Sequence, residues 1–245
     1  MPTLSIVTIT KDDPLGLART LKSTELLRQQ RVEHIVVDGS SGPAEGSFPS
    51  DVHWVHREPA GITDAFNHGL SLARGEWIWF VNGGDAVHEC LDAEWFLHYL
   101  TSATSDIVVG AMQLDGEGSP RAMPGIGKRW PLWDNWLPHP ATLVRRRLLL
   151  SSGGFDLRYR IAMDYDLWQR MMTQDSSVDV ISMPFARFAT GGISQRPENH
   201  LAVKKENAFA LRRQFFRVVG DLASATWRGI HAFSRMIFWA IRQSR

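Results

Sequence analysis

The feature that most restricts the fold is a trio of short apolar runs, each stopping in polar or glycine-rich sequence. Leu4-Ser-Ile-Val-Thr-Ile-Thr10 runs into Lys-Asp-Asp-Pro, His34-Ile-Val-Val-Asp38 into Gly39-Ser-Ser-Gly-Pro43, and Glu76-Trp-Ile-Trp-Phe-Val81 into Asn82-Gly-Gly-Asp85. Runs of this length, rich in β-branched and aromatic residues, read as strands. Helical spacing lies between them, through Leu17, Leu21 and Leu26 and then through Ile62, Phe66, Gly69, Leu70 and Ala73, with His53-Trp-Val-His56 as a further short strand. This alternation predicts an α/β fold, a mostly parallel, doubly wound central sheet flanked by helices and buried on both faces. The three polar punctuations then gather on one edge, where open sheets bind ligands.

The second half is less regular. Leu91 to Leu100 and Met163 to Met172 have helical spacing, and Ile107 to Met112 reads as a strand. Leu143 to Leu150 is apolar around Arg145-Arg-Arg147, Gly153-Gly-Phe-Asp156 is a turn, and Gly116 to Pro138 reads as a loop bordering a groove. With 245 residues and 44% hydrophobic content the chain buries one sizeable core. Its single cysteine, Cys90, excludes an intramolecular disulfide, and the start lacks the basic and apolar stretches of a secretory signal, so a cytoplasmic setting is expected. No run approaches the roughly 18 apolar residues of a spanning helix.

Several positions carry chemistry. Asp38, at a strand end, suits hydrogen bonds from a ribose or a base, although an acidic turn residue would look the same. The loop after the first strand, Thr10-Lys-Asp-Asp-Pro14, has no glycine, which argues against a dinucleotide-binding dehydrogenase and against a triphosphate-binding nucleotidyltransferase. In Gly61-Ile-Thr-Asp-Ala-Phe-Asn-His-Gly69, Asp64 and Asn67 share a helical face, and Gly69 permits close packing. Asp85 follows a buried strand on flexible backbone that can approach a diphosphate; magnesium typically takes only one or two protein carboxylates, so one aspartate suffices. Capping of the next helix is the alternative for Asp85.

Together these strings resemble the family-2 glycosyltransferases with the GT-A fold, especially those of colanic-acid and other exopolysaccharide pathways. The match includes Ser5-Ile-Val-Thr-Ile-Thr10, Val36-Val-Asp-Gly39, the 61–69 string, Asn82-Gly-Gly-Asp85, Gly153-Gly-Phe-Asp156 and Met163-Asp-Tyr-Asp-Leu167, in the family's order. The resemblance implies that Thr8, Asp38 and Asp64 line the nucleotide pocket, with Thr10, Gly39, Asn67, Asn82 and Gly83 completing it. It further implies that Asp85 holds a divalent cation, Mn2+ or Mg2+, on the diphosphate of a GDP- or UDP-linked sugar. Many relatives have a second acid where Gly84 stands here. Asp164, with Asp166 as fallback, is the expected catalytic base of an inverting transfer, since an acceptor hydroxyl must lose its proton as it attacks. His139 and the glycine-rich loop through Gly191, Gly192 and Ser194 have counterparts that touch the acceptor or the diphosphate.

The resemblance divides the chain into a catalytic domain over 1–200, with a nucleotide half to about 90 and an acceptor half after it, and a tail over 201–245. That tail carries nine Lys and Arg against two Asp and Glu, or +7, while the formal total is +1, leaving −6 for the rest. Ala208, Leu211, Phe215 and Val219 repeat at helical spacing, and in a second helix Arg228, Arg235 and Arg242 lie opposite Trp227, Ile230, Phe233, Ile237 and Ile241. Such amphipathic helices suit an anionic membrane surface, placing the enzyme peripherally at the inner face of the cytoplasmic membrane beside a lipid-linked saccharide acceptor. Docking on the catalytic domain is the alternative. Nucleic acid is not expected as a partner. A non-catalytic sugar-nucleotide-binding scaffold and a nucleotidyltransferase are the competing functions.

Overall fold

The computed structural model describes residues 2–42, 49–58, 60–121, 137–172, 174 and 176–220. Eight strands form one sheet in the order β3-β2-β1-β4-β7-β6-β8-β5. They are β1 (Leu4–Thr10), β2 (Glu33–Asp38), β3 (Val52–His56), β4 (Trp77–Phe80), β5 (Ala86–Val87), β6 (Ile107–Leu114), β7 (Thr142–Arg145) and β8 (Val178–Phe188). Among the described residues the helices are α1 (Pro14–Ser23), α2 (Glu25–Gln29), α3 (Ile62–Leu72), α4 (Ala93–Ser102), α5 (Arg146–Ser151), α6 (Met163–Met172) and α7 over 200–220.

The predicted β-α-β half is present as expected, with β3, β2, β1 and β4 all parallel. Beyond β4 the sheet is mixed, because β7 runs antiparallel to both β4 and β6, β6 pairs parallel with β8, and β5 pairs antiparallel with β8. The apolar stretch after Leu143 therefore divides into a strand and the short α5 at Arg146. The predicted strand at Ile107 continues to Leu114, and the helix expected from Leu91 starts at Ala93 behind Asp92, whose carboxylate accepts from Trp95 N at 2.7 Å. Most of the groove loop (122–136) and the second tail helix (221–245) lie outside the described residues.

Side chains alternate across the sheet with period two. Leu4, Ile6, Trp77, Trp79 and Val108 pack on one face against α4, and Val7, Ile35, Val37, Ile78, Phe80 and Val109 on the other against α3 and α6. Both buried indoles on β4 find acceptors, Trp77 in Leu100 O at 2.9 Å and Trp79 in Pro140 O at 2.8 Å. The helix at Ile62 lies close on β1 because Gly69 has no side chain, and a Cβ there would stand 2.3 Å from Val7 Cγ1. Gly69→Ala is expected to cost about 1–3 kcal/mol by overpacking a stiff β-branched neighbour, measured as a lower urea midpoint with unchanged slope.

Candidate active site

At the carboxyl ends of β1 and β4 lies a cavity of about 610 Å³. Thr10 and Lys11 border it from β1, Asn82 and Gly83 from the turn after β4, and Gly61 and Ile62 from the start of α3. Pro138, His139 and Pro140 close another side, Met163 and Asp164 come from the first turn of α6, and Ile193, Ser194 and Arg196 come from the segment after β8. Two of the three punctuations, after β1 and after β4, therefore meet at one concavity, while Asp38 and Gly39 after β2 are not among its lining residues. Gly83 is pinned by its N–H to Ile9 O at 2.9 Å, and a Cβ on it would come 3.0 Å from Thr10 Oγ1. The buried Thr10 Oγ1 and Asn82 Oδ1 have no hydrogen-bond partner among the described residues, an arrangement suited to a polar ligand.

His139 sits among Phe66, Phe80, Phe155 and Trp168, with ring centroids 5.1 to 6.3 Å away. Burial pushes its pKa down, opposed by the charge of Asp164, so the ring is neutral, and its buried Nε2 has no partner. Asp164 lines the cavity half-exposed, with Oδ1 accepting from Tyr165 N at 2.7 Å. Among the described residues, Lys11 and Arg196 are the Lys and Arg side chains that line the cavity, neither of them singled out in the sequence reading. Their signal was adjacency alone: Lys11 follows Thr10, and Arg196 stands two residues after Ser194.

Three expectations are corrected. Thr8 does not line the cavity, because its fully buried hydroxyl donates to Val81 O at 2.7 Å and meets His34 Nε2 at 2.9 Å. Asn67 is committed to the turn at 153–156, donating to Phe155 O at 2.7 Å and accepting from Phe155 N at 2.9 Å. Asp166, the fallback base, is fully buried and paired with Arg170 at 2.8 Å and Arg213 at 3.5 Å; freeing it would strand a buried charge at about 3–5 kcal/mol.

Asp64, Gly39, Asp38, Gly191 and Gly192 are not among the residues that line the cavity. Asp64 Oδ2 takes Arg57 Nη2 at 2.8 Å and Ala60 N at 3.1 Å, tying down the approach to α3. Gly39 N donates to Thr10 O at 2.9 Å. Beside it, buried Asp38 receives Ser40 N and Oγ on Oδ1, and its Oδ2 lies 3.7 Å from His56 Nδ1 without a hydrogen bond. Gly191 and Gly192 are exposed, and Gly191 N donates to Gln195 Oε1 at 2.7 Å.

Asp85 is 2% exposed; Oδ1 accepts from Ala189 N at 2.9 Å and Oδ2 has no partner. Among the described residues, no group of three or more His, Cys, Asp or Glu is placed to hold a metal ion. One orphaned carboxylate oxygen fits a hard cation that draws its remaining ligands from phosphate and water.

The sequence model of Glycosyl transferase family 2 matches residues 5–168. This chain belongs to that family. An uncharacterised glycosyltransferase of Mycobacterium tuberculosis is 29% identical over 212 residues, covering 80% of this chain and 79% of the relative. A PGL/p-HBAD biosynthesis glycosyltransferase of Mycobacterium bovis is 28% identical over 122 residues, 46% of this chain and 44% of its own. Among solved structures, Staphylococcus aureus TarS superposes with TM-score 0.65 at 19% identity, over 85% of this chain and 39% of TarS. Its fragment 1–349 in complex with UDP gives 0.63 at 18%, over 86% and 65%. The match confirms the GT-A fold, and the family makes this chain a glycosyltransferase.

The state of Asp85 has a measurable signature. Burial raises its pKa from the ordinary 3.8 to about 7. Between those values the folded chain holds a proton that the unfolded chain has released, so this group's contribution makes stability fall as pH rises from about 4 to 7. Asp85→Asn removes that contribution, and urea unfolding of the two proteins across this range is expected to show a shallower decline in the variant.

Proposed function

We propose that this glycosyltransferase moves a sugar, with inversion, from a nucleoside diphosphate, UDP or GDP, to a hydroxyl of a lipid-linked saccharide. The observation that carries the reading is the meeting, in one cavity, of two cations with a carboxylate at a helix start: Lys11 and Arg196 with Asp164. The solved complexes of TarS with UDP and UDP-GlcNAc support a nucleotide-sugar donor here.

In this reading Asp38 and Gly39 receive the base or ribose with Asp64 beyond them, and Thr10, Asn82 and Gly83 meet the nucleotide's phosphate end. The acceptor oxygen attacks the anomeric carbon while Asp164 takes its proton. The bond from that carbon to the phosphate oxygen breaks, and the leaving diphosphate carries away the electron pair. Lys11 and Arg196 stabilise the charge that develops there. Asp85 would hold a divalent cation, Mn2+ or Mg2+, which when bound neutralises the diphosphate. His139 Nε2 and Ser194 are polar contacts for the acceptor or diphosphate, and Gly191 and Gly192 let backbone approach it.

Titration calorimetry against UDP, GDP, CDP and dTDP, with and without manganese, tests the donor site. One nucleotide binding with metal dependence that disappears in Asp85→Ala is the expected outcome; no binding by a folded protein would sink the reading. Asp164→Asn is expected to leave that affinity intact and lower kcat by about 10²–10⁴-fold, the usual worth of a general base.

The acceptor's lipid is supported by α7. Of the stripe read from the sequence, Phe215 is 50% exposed and Val219 46%, with Ala208 exposed and Leu211 half-buried, and Phe209 and Phe216, the latter 61% exposed, add to that outward face. Polar Glu206, Arg213 and Gln214 face the protein instead. An outward aromatic face flanked by exposed Arg212 and Arg217 suits an anionic bilayer surface, in keeping with the exopolysaccharide setting that the sequence resemblance implies. Among the described residues no helix is long and apolar enough to cross a membrane. Replacing Phe215 and Phe216 together by Ser should weaken sedimentation with phosphatidylglycerol vesicles about 10-fold or more, since each buried ring contributes about 1.5–3 kcal/mol; undiminished binding would count against the surface.

A further inference from the structure

The start of α6 exposes N–H groups with no partner inside the helix, and such groups are usually capped by a nearby Ser, Thr, Asp or Asn. Arg160-Ile-Ala162 offers none of these. Glu206 of α7 instead accepts from the amides that lead into the helix. Glu206 Oε2 accepts from Ala162 N at 2.8 Å and Ile161 N at 3.0 Å, and Oε1 accepts from Arg160 N at 3.2 Å. A carboxylate here also meets the positive end of the helix dipole. Two turns farther along, Arg213 Nη1 binds Asp156 at 2.6 Å and reaches Asp166 at 3.5 Å, and between them the Phe209 ring lies 5.9 Å from that of Tyr159. One helix thus grips the beginning of α6 through charge and the turn before it through a cation. Ile161, Met163 and Asp164 all line the cavity. Glu206 lies beyond the residues matched by the family model, which end at 168.

We propose that Glu206 is a positioning residue for Asp164, fixing the first turn of α6 so that the carboxylate meets the acceptor hydroxyl. The inference rests on Asp164 being the base. Glu206 touches neither donor nor acceptor; it acts through three backbone N–H groups. Remove it and residues 160–162 lose their common anchor, and displacing a catalytic group by about 1 Å is enough to cost on the order of 10²-fold in rate. The nucleotide end of the cavity, built from β1 and β4, is left untouched.

The test compares wild type, Glu206→Ala, Glu206→Gln and Asp164→Asn on whichever UDP-, GDP-, CDP- or dTDP-sugar the wild type turns over fastest, following release of the nucleoside diphosphate as the sugar passes to water. Glu206→Ala should lower kcat about 10- to 100-fold, with KM for the donor and affinity for the free nucleotide within about twofold of wild type. Glu206→Gln keeps one acceptor oxygen for the Ile161 and Ala162 pair and should fall between the two, which also covers the case of an alanine variant that does not fold. Wild-type kcat in Glu206→Gln and in any folded Glu206→Ala, or a loss of kcat matched by an equal loss of nucleotide affinity, overturns the proposal. If Asp164→Asn is itself fully active, the base assignment fails and this inference with it; if Asp164→Asn is dead while the Glu206 variants match wild type, only the positioning role fails.

Discussion

The hydroxyl of Thr8 ties together the three strands on which the cavity stands. It donates to Val81 O at 2.7 Å, so its oxygen is left to accept from His34 Nε2 at 2.9 Å. Burial pushes the imidazole pKa down to about 3, and the neutral ring must then carry its hydrogen on Nε2 and accept from Thr24 at Nδ1, 3.2 Å away. One chain of polar contacts thus joins β4, β1, β2 and the junction of α1 with α2 in the middle of an apolar core. Both the Gly-Gly turn after β4 and the loop after β1 begin within two residues of it, so the cavity floor inherits its position from a contact that never meets the ligand.

This explains what the sequence could and could not disclose. The parallel half was legible because each run carries its own signal: β-branched or aromatic residues, a polar stop, and glycine where α3 must approach. The mixed half was not, since β8 lacks clean alternation, contains Pro184 and shifts register against β6 between Val109 and Met112, while β7 is only four residues long beside Arg145-Arg-Arg147. Its pairing is set by neighbours distant in the chain.

The same division runs through the site. Thr10, Asn82, Gly83, His139, Asp164 and Ser194 all line the cavity because they occupy strand ends, a turn or a helix start, where the backbone already determines the direction. Thr8, Asn67 and Asp166 were misassigned because their polar atoms are taken up by protein partners: a histidine on the next strand, the backbone of Phe155, and Arg170 four residues along the same helix together with Arg213 of α7. The helix at 200–220 shows the same. Its apolar repeat suits a membrane surface, with docking on the catalytic domain as the alternative, and nothing local tells that Glu206 and Arg213 on the opposite face hold it to the start of α6 and the turn before it.

The long reach of Glu206 also orders events in time. A chain emerges from the ribosome amino end first, and domains tend to fold in that direction. The strands β1 to β4 and their glycine turns are made first, whereas the carboxylate of Glu206 lies 44 to 46 residues beyond the amides it holds. Those amides at 160–162 therefore find their shared carboxylate only once α7 has been made, and the approach to α6 is among the late contacts of the growing chain.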